Sequence, residues 1–177
     1  MVKKVLIATD GSEHAIKAVA FGSDIAARYG ADVVLVHVLL RNDLSENLRH
    51  AAEVEYLPAE GGQPVAKAMG GIPLARFPAD IVFTPDDAAA PDRMLRAVAE
   101  HVLGQAETSA REHGVGKVEK RIEDGNPVNR ILQIARDENV DLVVSGARGL
   151  SDIAALLFGS VSHKLSHLSP VTCITVR

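Results

Sequence analysis

Three glycines and two serines make up the pattern in this chain best suited to chemistry. After the apolar stretch Asp141-Leu142-Val143-Val144-Ser145 the chain reads Gly146-Ala147-Arg148-Gly149, then nine residues, then Gly159-Ser160-Val161-Ser162. Glycine lets backbone approach an anion closely, and free amides at a helix start point toward it with the favourable end of the helix dipole. Ser160 and Ser162 add hydroxyl donors, and Arg148 adds a positive charge. Such a set suits the holding of phosphate. A carboxylate, Asp10, follows the first apolar run in Thr9-Asp10-Gly11-Ser12. It can accept from sugar hydroxyls, face a magnesium ion bridging phosphates, or simply cap the turn before Gly11.

The elements that must position these loops follow from the spacing of apolar residues. Val5 to Ala8 is a short apolar run, closed by Asp10-Gly11, and predicts a buried strand. Ser12 then caps a helix with Ile16, Val19, Ala20, Ser23 and Ala27 at three-four spacing, ended by Gly30. Val33 to Leu39 is apolar on both faces, as in the interior of a parallel sheet. A second helix is predicted from about Pro91 to His113, carrying Leu95, Val98, Ala99, Val102, Leu103 and Ala106. A strand follows at Val118 to Ile122. Asn126-Pro127 is a cap followed by proline at the first helical position, and Val128, Ile131, Leu132 and Ala135 continue that helix. A fourth strand at Asp141 to Ser145, a last helix at Ser160 to Leu168 and a fifth strand at Val171 to Val176 complete the series.

Strands alternating with helices predict an α/β fold, a Rossmann-like open five-stranded parallel sheet in the order 3-2-1-4-5 with helices on both faces. In that order the chain reverses direction between strands 1 and 4. The loops at Thr9 to Ser12 and from Gly146 onward then open into one crevice, where ligands of open α/β sheets bind.

The 177 residues are 47% hydrophobic and 24% charged, which suits a single domain over 1–177. The connection from about Arg41 to Pro91 breaks the alternation. Six of the eight prolines lie between Pro58 and Pro91, beside the pairs Gly61-Gly62 and Gly70-Gly71. This Pro/Gly-rich insertion reads as a decoration, a lid or an oligomer arm, with a short strand at Ile81 to Thr84 and a helix at Ser45 to Val54. A net charge of -4, with no basic run longer than Lys3-Lys4, argues against nucleic acid as a partner. No apolar run reaches the length of a membrane span, and the first strand begins almost at Met1, so a soluble cytoplasmic protein is expected. The lone Cys173 reads as a small hydrophobe in a strand.

The spacing Gly-x2-Gly-x9-Gly-Ser, Ala8-Thr9-Asp10-Gly11-Ser12 at the end of strand 1 and Val36-His37-Val38 in strand 2 together resemble the ATP-binding branch of the universal stress protein family. The resemblance covers residues 3 to 40 and about 92 to 177; the insertion departs from it. It implies that Gly146, Gly149, Gly159, Ser160, Val161 and Ser162 hold phosphates. By the same likeness Asp10 and Gly146 meet the ribose, while Ala8, Thr9 and the backbone of Val38 face the adenine. The implied ligand is ATP or AMP, with magnesium at Asp10 as an option, and the implied assembly is a homodimer along the last strand, 171–176. The function to expect is that of a nucleotide-binding regulator of stress response. A slow ATP hydrolase or nucleotidyl-transfer enzyme is the alternative, and a nucleotide-bound structural or transporter-regulating subunit is another.

Other chemistries lack their residues. A P-loop needs a lysine beside the Ser after its glycines, and Gly159-Ser160-Val161 has none, so any hydrolysis should be slow. Only Gly11 follows strand 1, so the three-glycine dinucleotide pattern is missing. No Gly-x-Ser-x-Gly elbow occurs. His163 and His167 sit four apart with no third metal ligand evident, and His37 lies among apolar neighbours as a core histidine does.

Overall fold

In the computed structural model the described residues are 1–39, 90–149 and 159–177. The strand at Ile81 to Thr84, the helix at Ser45 to Val54 and the rest of the insertion up to residue 89 lie outside them. Among the described residues five strands, β1 (Lys4–Ala8), β2 (Asp32–Leu39), β3 (Val118–Asp124), β4 (Leu142–Gly146) and β5 (Thr172–Val176), alternate with four helices. The helices are α1 (Glu13–Tyr29), α2 (Ala90–Glu112), α3 (Pro127–Asp137) and α4 (Ser160–Leu168). All four strand pairings are parallel, and the order is β3-β2-β1-β4-β5, as the sequence predicts.

Two apolar layers sandwich the sheet. Val5, Ile7, Val33, Leu35, Leu142 and Val144 point to one face, where α1 and α2 cover them through Ala18, Val19, Leu103 and Ala106. Leu6, Val34, Val36 and Val143 point to the other, under Ile131 and Leu132 of α3 and Leu165 of α4. Central β1 is therefore buried on both sides, with Val5, Leu6 and Ile7 all at 0% exposure. Each such side chain contributes roughly 1.5–3 kcal/mol of transfer free energy.

The helix ends follow the signals in the sequence. Ser12 caps α1 by accepting from the Ala15 amide, and Gly30 ends it in the left-handed conformation at φ 63°. Asn126 accepts from Asn129 and Pro127 opens α3. One expectation about α1 fails: Ile16 is 49% exposed, while Ala15, Ala18, Val19, Gly22, Ser23 and Ala26 are the buried set. The buried stripe is made of small residues because α1 lies close on the sheet. A Cβ on Gly22 would stand 2.8 Å from Ile7 Cδ1. Among the described residues no helix is long and apolar enough to cross a membrane.

Candidate functional site

The two loops singled out in the sequence meet at the C-terminal ends of β1 and β4. The first leaves β1 at Thr9, whose amide donates to the Val36 carbonyl at 2.9 Å and whose side chain is buried. Gly11 takes φ 79°, a conformation that favours glycine. Asp10 Oδ1 accepts from the Ser12 amide at 2.9 Å, so the carboxylate does cap this turn. The second loop closes on itself: the Gly159 amide donates to the Ala147 carbonyl at 2.7 Å, and the Ala147 amide donates to Val176 at 2.6 Å.

Two contacts tie the loops together. The Ser12 hydroxyl, at 3.2 Å, donates to the carbonyl of Arg148. Asp10 lies against Gly149 so closely that a Cβ there would stand 2.6 Å from Asp10 Oδ2. Gly146 has a steric reason of its own. A Cβ on it would come within 2.8 Å of the Ala15 amide nitrogen and the His14 carbonyl carbon, both backbone atoms of α1. The glycines thus set how near β4 and its loop come to β1 and α1.

Gly159 is the N-cap of α4 and supplies no side-chain cap. At this helix start the His163 amide donates to the Gly159 carbonyl at 3.1 Å. The amides of Ser160, Val161 and Ser162 have no partner among the described residues, as expected of the first turn of a helix. Ser160 is exposed and Val161 half-buried. Ser162 is buried, and its hydroxyl lies 2.8 Å from the Ala147 carbonyl and 3.1 Å from that of Gly159. Both are acceptors, so its single proton is used inside the loop. What Ser162 offers to an anion is its backbone N–H.

On the β1 side, Ala8 and Val38 lie on the α3/α4 face of the sheet, both half-buried. His37 faces the other way, 8% exposed, with Nδ1 3.0 Å from the Thr9 carbonyl. A carbonyl can only accept, so Nδ1 carries the proton. Burial pushes the imidazole pKa below its ordinary value, outweighing the opposing effects of the Thr9 carbonyl and Asp10. His37 is a structural histidine that holds the start of the Asp10 loop. The rings of His163 and His167 pack on each other at 4.7 Å between centroids, and among the described residues no group of three or more His, Cys, Asp or Glu could hold a metal. Cys173 is half-buried, and burial raises its thiol pKa.

The structure thus brings together Thr9, Asp10, Gly146, Arg148, Gly149 and Gly159, with the amides of residues 160–162 beside them; residues 150–158 of the loop lie outside the description. Sequence reasoning missed the roles of Ser12 as a tie between loops and of His37 as a clamp on Thr9. Cross-strand neighbours hundreds of atoms apart along the chain carry no local signal. A cleft of about 370 Å³ opens between α1 and α2, walled by Ile16, Val19, Val102 and Gln105 among others. It shares only Thr9 with the predicted site residues, and none of the loop glycines 146, 149 and 159 lines it.

A model of the universal stress protein family matches residues 1–177. The chain belongs to the universal stress protein family. Universal stress protein YxiE of Bacillus subtilis is 27% identical over 180 residues, covering 100% of both chains. Among solved structures, the universal stress protein UspA from Lactobacillus plantarum superposes with a TM-score of 0.66 at 19% identity, covering 99% of this chain and 98% of the other. A universal stress protein in complex with cAMP gives 0.61 at 22% identity, covering 99% and 97%. The parallel α/β sheet with its order 3-2-1-4-5 is therefore the fold of universal stress proteins.

Proposed function

We propose that this universal stress protein is a regulatory module that holds ATP, or a related adenine nucleotide, in the crevice between the loops after β1 and β4. The observation that carries the reading is the uncapped start of α4. Three amides without partners among the described residues, at 160–162, stand beside a glycine loop that closes back on them. In this reading those amides, with Gly146, Gly149, Gly159 and Arg148, receive the phosphates. Asp10 and Gly146 meet the ribose; Ala8, Thr9 and the backbone of Val38 face the adenine. The cAMP complex of a structural neighbour supports an adenine ligand.

Among the described loop residues, Asp10 is the one suited to magnesium. Mg²⁺ is commonly held by one or two carboxylates plus substrate phosphates, and Asp10 is a carboxylate beside the loop. Its Oδ2 lies against Gly149, on the side where the phosphates would sit. Bound there, the ion would offset phosphate charge. The loop supplies anion-holding groups without a lysine beside them, which favours retention of nucleotide over turnover.

The reading extends to assembly as a homodimer through β5. The two sheet edges differ in character. β3 reads Val-Glu-Lys-Arg-Ile-Glu-Asp, with charges of the kind that block edge pairing, whereas β5 reads Thr-Cys-Ile-Thr-Val with none.

Calorimetric titration of nucleotide-free protein with ATP and Mg²⁺ tests the binding. Saturable heat that weakens in Gly159→Ala is expected, since a Cβ there would press on the Ala147 carbonyl at 3.3 Å. Absence of heat in the wild type would remove the proposal.

A further inference from the structure

β4 carries an orphan. Ser145 is 4% exposed, and its hydroxyl has no hydrogen-bond partner among the described residues. A hydroxyl buried without a partner costs stability that alanine would not, so such a group calls for a reason. Its place in the sheet suggests one. Leu142 and Val144 point to the α1/α2 face and Val143 to the α3/α4 face, so alternation puts Ser145 on the α3/α4 face. It is the last side chain of β4 before Gly146, and it pairs in register with Ala8 of β1 on one side and Thr175 of β5 on the other. Val161, in the first turn of α4, packs on this same face.

We infer that Ser145 is a specificity-determining residue whose hydroxyl bonds the nucleoside part of the bound ligand. The inference rests on the nucleotide reading above. Phosphates have their own donors at the start of α4, whereas Ser145 stands one residue from Gly146 and directly across from Ala8, the positions given to ribose and base. A hydroxyl both donates and accepts, so it can serve a ring nitrogen or a sugar hydroxyl. Ligand binding would then supply the partner that the fold withholds.

Ser23 provides the contrast. Its hydroxyl is likewise buried, at 0% exposure, and without a partner among the described residues, but it lies midway along α1, away from the strand ends. Ser145 and Ser23 are thus two orphan hydroxyls of which one adjoins the crevice.

The experiment compares Ser145→Ala and Ser23→Ala with wild type by calorimetric titration with ATP and, separately, with inorganic triphosphate, alongside thermal melts. Ser145→Ala is expected to melt no lower than wild type and to bind ATP roughly 3- to 10-fold more weakly, the worth of one neutral hydrogen bond. Its triphosphate affinity should stay unchanged, and Ser23→Ala should bind both ligands as wild type does. ATP affinity of Ser145→Ala within the error of wild type would overturn the inference. So would an equal loss for triphosphate, or a melt several degrees lower, because either would make the hydroxyl part of the fold. If wild type itself binds no ATP, the nucleotide reading fails and this inference falls with it, an outcome distinct from the others.

Discussion

Gly149→Ala separates the role of the loop in binding from its role in folding. The new Cβ would stand 2.6 Å from Asp10 Oδ2 and 3.8 Å from its Cγ. Ordinary contact needs about 3.5 Å, so the carboxylate must retreat by roughly 1 Å. Asp10 is not free to do so without cost, because its Oδ1 holds the Ser12 amide at 2.9 Å. The contact lies partly in solvent, and its loss should cost about 1 kcal/mol, a fall in Tm of roughly 2–4 °C. Binding should suffer more. A displaced carboxylate loses a charge-assisted contact to ribose or to a cation, worth about 1.5–3 kcal/mol, or roughly 10- to 100-fold in Kd for ATP. Calorimetric titration and thermal melts of Gly149→Ala, Asp10→Ala and the double variant measure both quantities. Because the two residues act through one contact, the double variant should bind no worse than Asp10→Ala. Wild-type affinity in Gly149→Ala, or fully additive losses in the double variant, would refute the reasoning.

Three further outcomes are expected. Gly146→Ala should act on the fold itself, since its Cβ meets backbone atoms of α1 at 2.8 Å; overpacking of this kind costs about 1–3 kcal/mol, seen as a Tm lower by roughly 2–12 °C. His37, with its pKa lowered by burial, binds fewer protons folded than unfolded, so it favours the folded state above pH ~6.5 and loses that contribution as pH falls toward its folded pKa. Denaturant unfolding between pH 8 and 5.5 should therefore show wild type losing more stability than His37→Asn, which can still donate to Thr9. Thr172→Lys, at an exposed position of β5, should weaken the proposed homodimer in sedimentation equilibrium without lowering the melting temperature of the fold by more than about 0.5 kcal/mol equivalent.

The fold was largely legible in the sequence because several helix boundaries have a local cause. Ser12, Gly30, Asn126 and Pro127 each act within a turn of themselves, and the apolar runs of β1, β2 and β4 are buried on both sides of the sheet. The differences are small and local. β3 extends past Ile122 to Asp124, because Val38 and Leu39 of β2 still pair with Glu123 and Asp124 there. β4 begins at Leu142 and ends at Gly146, since Gly146 pairs with Val176. Ile16 falls outside the buried face of α1, which the sequence does not reveal because three-four spacing alone leaves several neighbouring stripes open. The choice among them depends on how close α1 approaches the sheet, and that is set by Gly22 and Gly146 against partners far away in the chain.

The candidate site was legible as a set of residues but not as a mechanism of assembly. The glycine spacing pointed to a phosphate cradle, yet the distances give Gly146 and Gly149 partners in α1 and Asp10. Ser162 carried a hydroxyl in the sequence reading, and the fold turns that hydroxyl toward Ala147. Whether a side chain faces its own loop or a ligand depends on backbone direction, which residue type does not encode.

The most direct test of the account is to follow backbone amide resonances of nucleotide-free protein during titration with ATP and Mg²⁺. The largest shifts are expected at Ser160, Val161 and Ser162, with Asp10, Gly146 and Gly149 next. Shifts confined to the walls of the α1/α2 cleft, such as Val102 and Gln105, or no shifts at all, would contradict the placement of nucleotide between the loops after β1 and β4.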